Sequence, residues 1–267
     1  MKNLQISIIQ ADLVWENKAA NLKQLEEKIL QLPHTEIVVL PEMFSTGFSM
    51  RSKDLAENMD GESVQWMRTI AKQKKIILTG SLIIEEEGRY FNRLIWMLPN
   101  GELGYYDKRH LFGYAGEHQH YSSGNKRLIA SVKGWKINLI ICYDLRFPVW
   151  MRQQKDSDGS FENGQAEYDL LICVANWPEK RIHAWKTLLM ARAIENQCYV
   201  VAVNRVGNDG SGIYHSGNSM VINPLGEVLI EKTHDISEHT LQLNGDLLTE
   251  IRTTLPFLKD ADQFLML

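Results

Sequence analysis

Apolar runs of strand length recur along this chain and alternate with segments of helical period, and this alternation constrains the fold more than any other feature. Residues 4–9 alternate as a strand, and residues 17–32 then place Leu22, Leu25 and Ile29 at helical spacing, with Leu32 trailing. Residues 37–40 form a short buried strand ended by Pro41. Residues 63–75 are again helical, followed by strands at 76–84 and 90–98. Asn100-Gly101 makes a turn into a strand at 102–106, a hairpin signal. Residues 135–142 and 170–174 are continuous apolar strands, each feeding a later helix. Strands at 199–203, 218–222 and 227–230 follow, the last two joined by a turn at 223–226. Strands, helices and hairpins interleaved in this way specify an α/β architecture with mixed sheets.

The polar stretch 153–167 reads as a surface loop or insertion, because strand-like segments continue on both sides of it. With no internal repeat or low-complexity tract, the 267 residues are expected to form one domain. A net charge of -4 argues against a nucleic-acid binder, and the lysines between Lys72 and Lys75 read as a solvated helix end. Three cysteines cannot all pair, and Cys142 and Cys173 sit inside apolar runs, so a disulfide framework is not expected. The first ten residues alternate and lack the apolar stretch of a signal peptide. No segment approaches the ~20 apolar residues of a membrane span. The expectation is a cytoplasmic protein without nucleic-acid or membrane partners.

Three segments place a reactive side chain at the end of a buried strand, where loops on a rigid base carry function in α/β sheets. Glu42 follows Val38-Val39-Leu40-Pro41 and is either a loop acid or a partly buried general base. Lys108, within Tyr106-Asp107-Lys108-Arg109-His110, belongs either to a solvated turn or to an oxyanion-binding site. Cys142 ends an apolar run and is followed at once by Tyr143-Asp144-Leu145-Arg146. It is either an inert core cysteine or a nucleophile on a strand-to-helix elbow. Cys173 and Cys198 lack that context and read as packing residues. Glu117, His118 and His120 are metal-ligand types, but no second cluster supports a metal site. Gly207, Gly210 and Gly212 do not follow the dinucleotide-binding pattern, so neither a metal nor a nucleotide cofactor is expected.

In combination and order, these segments strongly resemble the nitrilase superfamily of carbon–nitrogen hydrolases, whose members use a Glu-Lys-Cys triad. Gly116-Glu117 is similar to the family's second glutamate. Ala175-Asn176-Trp177-Pro178, residues 191–197, Asn204-Arg205-Val206-Gly207 and Gly217-Asn218-Ser219 are similar to its later blocks. Pro-Glu-Met-Phe-Ser-Thr-Gly-Phe, Tyr-Asp-Lys-Arg-His-Leu-Phe and Ala-Asn-Trp-Pro most resemble the bacterial omega-amidase branch.

The resemblance implies a four-layer αββα sandwich with two mixed β-sheets between helices. It also implies a homodimer; the apolar residues beyond about residue 240, among them Leu255 and Phe257, would pack either on a partner subunit or on this one. Catalysis falls to Glu42, Lys108 and Cys142, with Glu117 orienting Lys108 or the substrate and the Tyr143 N–H helping to bind the oxyanion. The substrates implied are 2-oxoglutaramate and 2-oxosuccinamate. Their carboxylate calls for a cation, with Arg146, Arg181 and Arg192 as candidates and Arg181 preferred, between walls formed by Phe112 and Trp177. Two enzyme alternatives use the same triad, an N-carbamoyl-amino-acid amidohydrolase and a nitrilase. A catalytically idle scaffold is the alternative of another class.

Overall fold

The structure is a computed structural model and describes residues 2–154 and 166–264. The first sheet contains β1 (Leu4–Gln10), β2 (Ile37–Val39), β3 (Ile77–Glu86), β4 (Arg89–Met97), β5 (Leu103–Asp107) and β13 (Ser237–Leu243). Its order is β13-β1-β2-β3-β4-β5, with β1-β2 and β2-β3 parallel and the remaining pairs antiparallel. The second sheet contains β6 (Ile129–Val132), β7 (Trp135–Ile141), β8 (Leu170–Ala175), β9 (Tyr199–Asn204), β10 (Val206–Asn208), β11 (Tyr214–Ile222) and β12 (Val228–Thr233). There the order is β10-β11-β9-β8-β7-β6, with β12 also on β11. The helices are α1 (Lys18–Gln31), α2 (Ser52–Leu55), α3 (Glu62–Lys74), α4 (Pro148–Met151), α5 (Ile182–Asn196) and α6 (Gly245–Thr254).

Strand periodicity divides the apolar residues between two cores. Ile37 and Val39 of β2 join Leu4, Ile6 and Ile8 of β1 in packing against Ile137, Leu139 and Ile141 of the second sheet. Val38 and Leu40, on the opposite face, pack with Leu22, Leu25 and Ile29 of α1 and Val64, Met67 and Ile70 of α3. On the second sheet, α5 contributes Trp185, Leu189 and Ala193 against β9 and β11. The layers run helix, sheet, sheet, helix, which is the αββα sandwich. Each aliphatic side chain removed from water in this way contributes roughly 1.5–3 kcal/mol.

Helix ends follow local chemistry. Asn17 caps α1 by accepting from Ala20 N at 3.0 Å, and Asn244 caps α6 by accepting from the Asp246 and Leu247 N–H groups. Lys75 and Gln197 close α3 and α5 in the left-handed conformation. The lysines at the end of α3 do more than meet solvent: Lys74 Nζ donates to the Leu30 and Leu32 carbonyls, at 3.2 Å each, at the C-terminal end of α1.

The short strands β6 and β10 have no clear sequence signal, because their pairing with β7 and β11 rather than their own residues defines them, and the four-residue α2 is too short to show a helical period. The expected surface loop at 153–167 lies mostly outside the described residues. Its first residue departs from the expectation: Gln153 is buried and donates to the Tyr168 and Asn196 carbonyls at 2.7 and 3.1 Å. All three cysteines are free thiols. Among the described residues, no helix is long and apolar enough to cross a membrane.

Candidate active site

β2, β5 and β7 end at the same edge of the sandwich, and the residues immediately beyond them converge. Glu42 lies past Pro41 at the end of β2, Lys108 follows β5, and Cys142 opens the tight turn after β7. Cys142 has a left-handed φ of 45°, a conformation that costs a non-glycine residue about 1–2 kcal/mol. Asp144 holds the elbow in place. Its Oδ2 accepts from Ile141 N at 3.0 Å and from the Tyr106 hydroxyl at 2.7 Å, while its Oδ1 accepts from His110 N at 2.8 Å. The His110 Nδ1 lies 2.9 Å from the same oxygen, and the His110 ring stacks on Phe147. The cysteine elbow is thereby tied to the loop that carries Lys108.

Lys108 Nζ donates to Glu42 Oε1 at 2.9 Å and to Glu117 Oε1 and Oε2 at 3.0 and 2.9 Å, and none of the three side chains is exposed. The Phe48 ring lies 5.0 Å from the ammonium, and the Phe112 N–H donates to Glu117 Oε2. Glu42 accepts twice more, from Asn92 Nδ2 at Oε1 (2.8 Å) and from Asn176 N at Oε2 (2.8 Å). Asn176 also donates its side-chain amide to the Glu42 carbonyl at 2.6 Å, and its own carbonyl lies 4.0 Å from Cys142 Sγ.

Burial opposes the charge on Lys108, but Glu117 and Glu42 outweigh it and hold the ammonium above its ordinary pKa. Burial pushes the Glu117 carboxyl up, with Lys108 pulling against it. The Cys142 thiol is pushed up by burial first and by Glu42 second, with Lys108 acting the other way. The resting sulfur is therefore a neutral thiol that needs a base at the moment of attack.

A cavity of about 80 Å³ opens on Cys142 and Lys108 and is lined by Phe48, Phe112, Tyr143, Asn176, Trp177 and Arg181, among others. Arg146 and Arg181 both face it, each over an aromatic wall: Arg146 is 4.9 Å from the Trp177 ring centre and Arg181 is 5.2 Å from that of Phe112. Among the described residues neither guanidinium has a carboxylate within ion-pair distance, whereas Arg51, Arg93, Arg192, Arg205 and Arg252 all do.

This arrangement of thiol, carboxylate and ammonium coincides with a family match over most of the chain, since the carbon-nitrogen hydrolase model matches residues 5–246. The chain belongs to the carbon–nitrogen hydrolase family. It is 41% identical over 265 residues to the omega-amidase YafV of Escherichia coli (strain K12), covering 99% of each chain. It is 31% identical to the 2-oxoglutaramate amidase of Bacillus subtilis (strain 168), covering 96% of each. Among solved structures, XC1258 from Xanthomonas campestris, a CN-hydrolase superfamily protein with an arsenic adduct in its active site, superposes with a TM-score of 0.96. That chain is 43% identical, with complete coverage of both. The protein is thus a nitrilase-superfamily hydrolase acting on carbon–nitrogen bonds.

In this hydrolase the structure brings Glu42, Lys108, Cys142 and Glu117 together, and it places Phe112, Tyr143, Trp177 and Arg181 on the cavity beside them. Arg192 does not join them. It is buried, with Nη2 donating to the Leu145 carbonyl at 2.8 Å and Nη1 to Glu195 at 3.0 Å, so it supports the elbow from behind. Glu117 is buried while His118 and His120 are exposed, which separates the three metal-ligand types. The glycine-rich loop at 207–212 turns around Asp209, whose Oδ1 accepts from the Ser211 and Ile213 N–H groups, and it contributes Asp209 to the cavity lining.

Sequence reasoning missed Asn92, Phe48, Asp209 and His215. Burial lowers the His215 imidazole to about pKa 4, so it lines the cavity as a neutral ring. The available signal for Asn92 was a polar residue at the alternate position that Leu94 and Trp96 fill with apolar side chains on the same strand face.

Proposed function

We propose that this hydrolase cleaves the terminal amide of short 2-oxo dicarboxylic acid monoamides, 2-oxoglutaramate and 2-oxosuccinamate, to the acid and ammonia through a thioester on Cys142. The observation that carries the reading is a cavity lined by the Lys108 ammonium and the Cys142 thiol, with the Glu42 carboxylate on Lys108 behind it and two arginines that have no carboxylate partner among the described residues. The names of the Escherichia coli and Bacillus subtilis relatives support the same substrate class.

Glu42 takes the thiol proton as Cys142 Sγ bonds to the amide carbon, and the carbonyl electron pair moves onto oxygen. Lys108 and the Tyr143 backbone N–H stabilise that oxyanion, and Glu117 holds Lys108 in place. The intermediate collapses by breaking the C–N bond. Glu42 returns its proton to the departing nitrogen, ammonia leaves, and a thioester remains. Glu42 then takes a proton from water as the water oxygen attacks the thioester. The C–S bond breaks, the acid is released, and the sulfur recovers its proton. Two carboxylates, an ammonium and a thiol in contact titrate as one system rather than as four separate groups.

Arg181 with Arg146 would pair with the substrate's carboxylate, and Phe112 and Trp177 would wall its short chain. The proposal includes a single catalytic domain acting as a cytoplasmic homodimer. The C-terminal segment, where Phe257 is 61% exposed, would contribute to the subunit contact, a state that light scattering measures directly.

The test of the catalytic reading is ammonia release from 2-oxoglutaramate by the wild-type protein and by Cys142→Ala. Release by the wild type and none by the variant is the expected result. Equal release by both, or faster turnover of an N-carbamoyl amino acid or a nitrile than of any oxo-acid amide, would overturn it.

A further inference from the structure

Asn92 touches three of the four groups in the buried cluster. Its side-chain amide has two N–H bonds, one donated to Glu42 Oε1 at 2.8 Å and the other to Glu117 Oε1 at 3.3 Å. Its backbone carbonyl accepts from the Lys108 N–H at 3.0 Å. It sits on β4, one strand step from Leu94 and two from Trp96, both of which point into the core between the sheets. A polar residue on that face breaks the apolar pattern. Within the described residues its Oδ1 is buried and has no partner. The position is poorly explained by the needs of the amide as a whole, and well explained by the needs of the two carboxylates its N–H groups reach.

Counting acceptor sites shows what those N–H groups do. A carboxylate offers about two lone-pair directions on each oxygen. Glu42 Oε1 receives Lys108 Nζ and Asn92 Nδ2, which fills it, whereas among the described residues Oε2 receives only the Asn176 N–H. One direction therefore remains open, and it is on Oε2. Without Asn92 the carboxylate could present either oxygen to a proton, and its partner Glu117 would repel it across a single ammonium.

We propose that Asn92 is a positioning residue that occupies Glu42 Oε1 and so dedicates Glu42 Oε2 to proton transfer with the Cys142 thiol. The inference rests on Glu42 being the proton carrier of the proposed reaction. The charged and titratable groups facing Glu42 are Lys108, Glu117 and Cys142, with the Tyr121 hydroxyl group nearby.

Two variants and one control test it. Asn92→Leu removes both N–H donors at similar size without adding charge, and Asn92→Ala removes them together with the side-chain bulk. In both, kcat for ammonia release should fall about 10- to 100-fold with KM within about threefold, since small misplacements of a catalytic group have effects of that size. The acid limb of the kcat/KM profile should also move to higher pH, because a carboxylate that loses a donor holds a proton more readily. A purely structural role would lower the thermal midpoint or kcat and leave the acid limb where it was. Variants that keep kcat within twofold, or that lose it with an unmoved acid limb, overturn the inference. Should Asn92→Leu fail to fold, Asn92→Ala decides alone. Glu42→Gln separates the two readings. Full activity in that control would sink Glu42 as proton carrier, whereas an inactive control beside unaffected Asn92→Leu and Asn92→Ala variants would sink only the role of Asn92.

Discussion

Lys108 Nζ and Glu42 Oε1 stand 2.9 Å apart with neither side chain exposed, and Glu117 closes the ammonium from the other side. Breaking such a pair from the cationic side strands two carboxylates away from water. Lys108→Met should therefore lose about 3–5 kcal/mol of folding stability as well as all ammonia release. Urea denaturation monitored by circular dichroism gives the first quantity. A variant as stable as the wild type would mean that the carboxylates find other partners.

Glu42 raises the Cys142 pKa, after burial, while Lys108 lowers it. Neutralising the carboxylate in Glu42→Gln should thus make the thiol more acidic while stopping turnover. The pH dependence of iodoacetamide alkylation, with Cys142→Ala as blank, should shift toward lower pH in Glu42→Gln. A shift toward higher pH would show that the carboxylate does not act on the sulfur in this way.

Burial pushes the thiols of Cys142, Cys173 and Cys198 and the phenols of Tyr106 and Tyr168 above their ordinary pKa values. The unfolded chain begins to release these protons near pH 8.5 for thiols and near 10 for phenols, at roughly their unperturbed values. The folded chain still holds them there. This contribution to stability is complete below that range, begins to be lost within it, and goes on being lost until the pH passes the raised folded-state values. The urea midpoint should be lower at pH 9.5 than at pH 7.5, and an unchanged or higher midpoint would contradict the assignment.

Asp144 accepts from the backbone before the cysteine elbow, from Tyr106 and from the His110 backbone. An amide can accept at one of its two ends only, so Asp144→Asn leaves buried donors facing an N–H₂ group. The expected cost is about 2–3 kcal/mol in unfolding free energy, with a kcat loss of about 10- to 100-fold as the elbow relaxes. Steady-state kinetics beside thermal denaturation would reveal either effect without the other.

Arg146 and Arg181 face the cavity from different segments, one after the cysteine turn and one before α5. If both meet the substrate carboxylate, each Arg→Ala change should raise KM for 2-oxoglutaramate about 10- to 100-fold, corresponding to the roughly 1.5–3 kcal/mol of a charged hydrogen bond. Turnover of a neutral amide of the same length should change less than about threefold. Parallel losses on both substrates would assign the arginines a structural role.

The positions of Glu42, Lys108 and Cys142 at strand ends could be read from residue order, because an apolar run that stops at a polar residue marks where a buried strand reaches solvent. Among the three arginines, residue order favours Arg181, which follows the Trp177-Pro178 loop, but does not separate Arg146 from Arg192. Arg192 has the same chemistry as Arg146, yet the pitch of α5 turns it toward the Leu145 carbonyl and Glu195. The partners of Asn92 could not be read for a related reason: they lie 50 and 25 positions away, and only the pairing of β3 with β4 brings it level with Glu42.

Local sequence therefore determined the alternation of strands and helices and the reactive groups at the strand ends, since periodicity, prolines and cap residues act within a few positions. Tertiary structure alone decided which buried polar groups meet, which arginines among the described residues lack a carboxylate partner, and that the thiol pKa rises. Those properties depend on distances of about 3 Å between strands remote in the chain and on the exclusion of water around them, and neither quantity is written in any single segment.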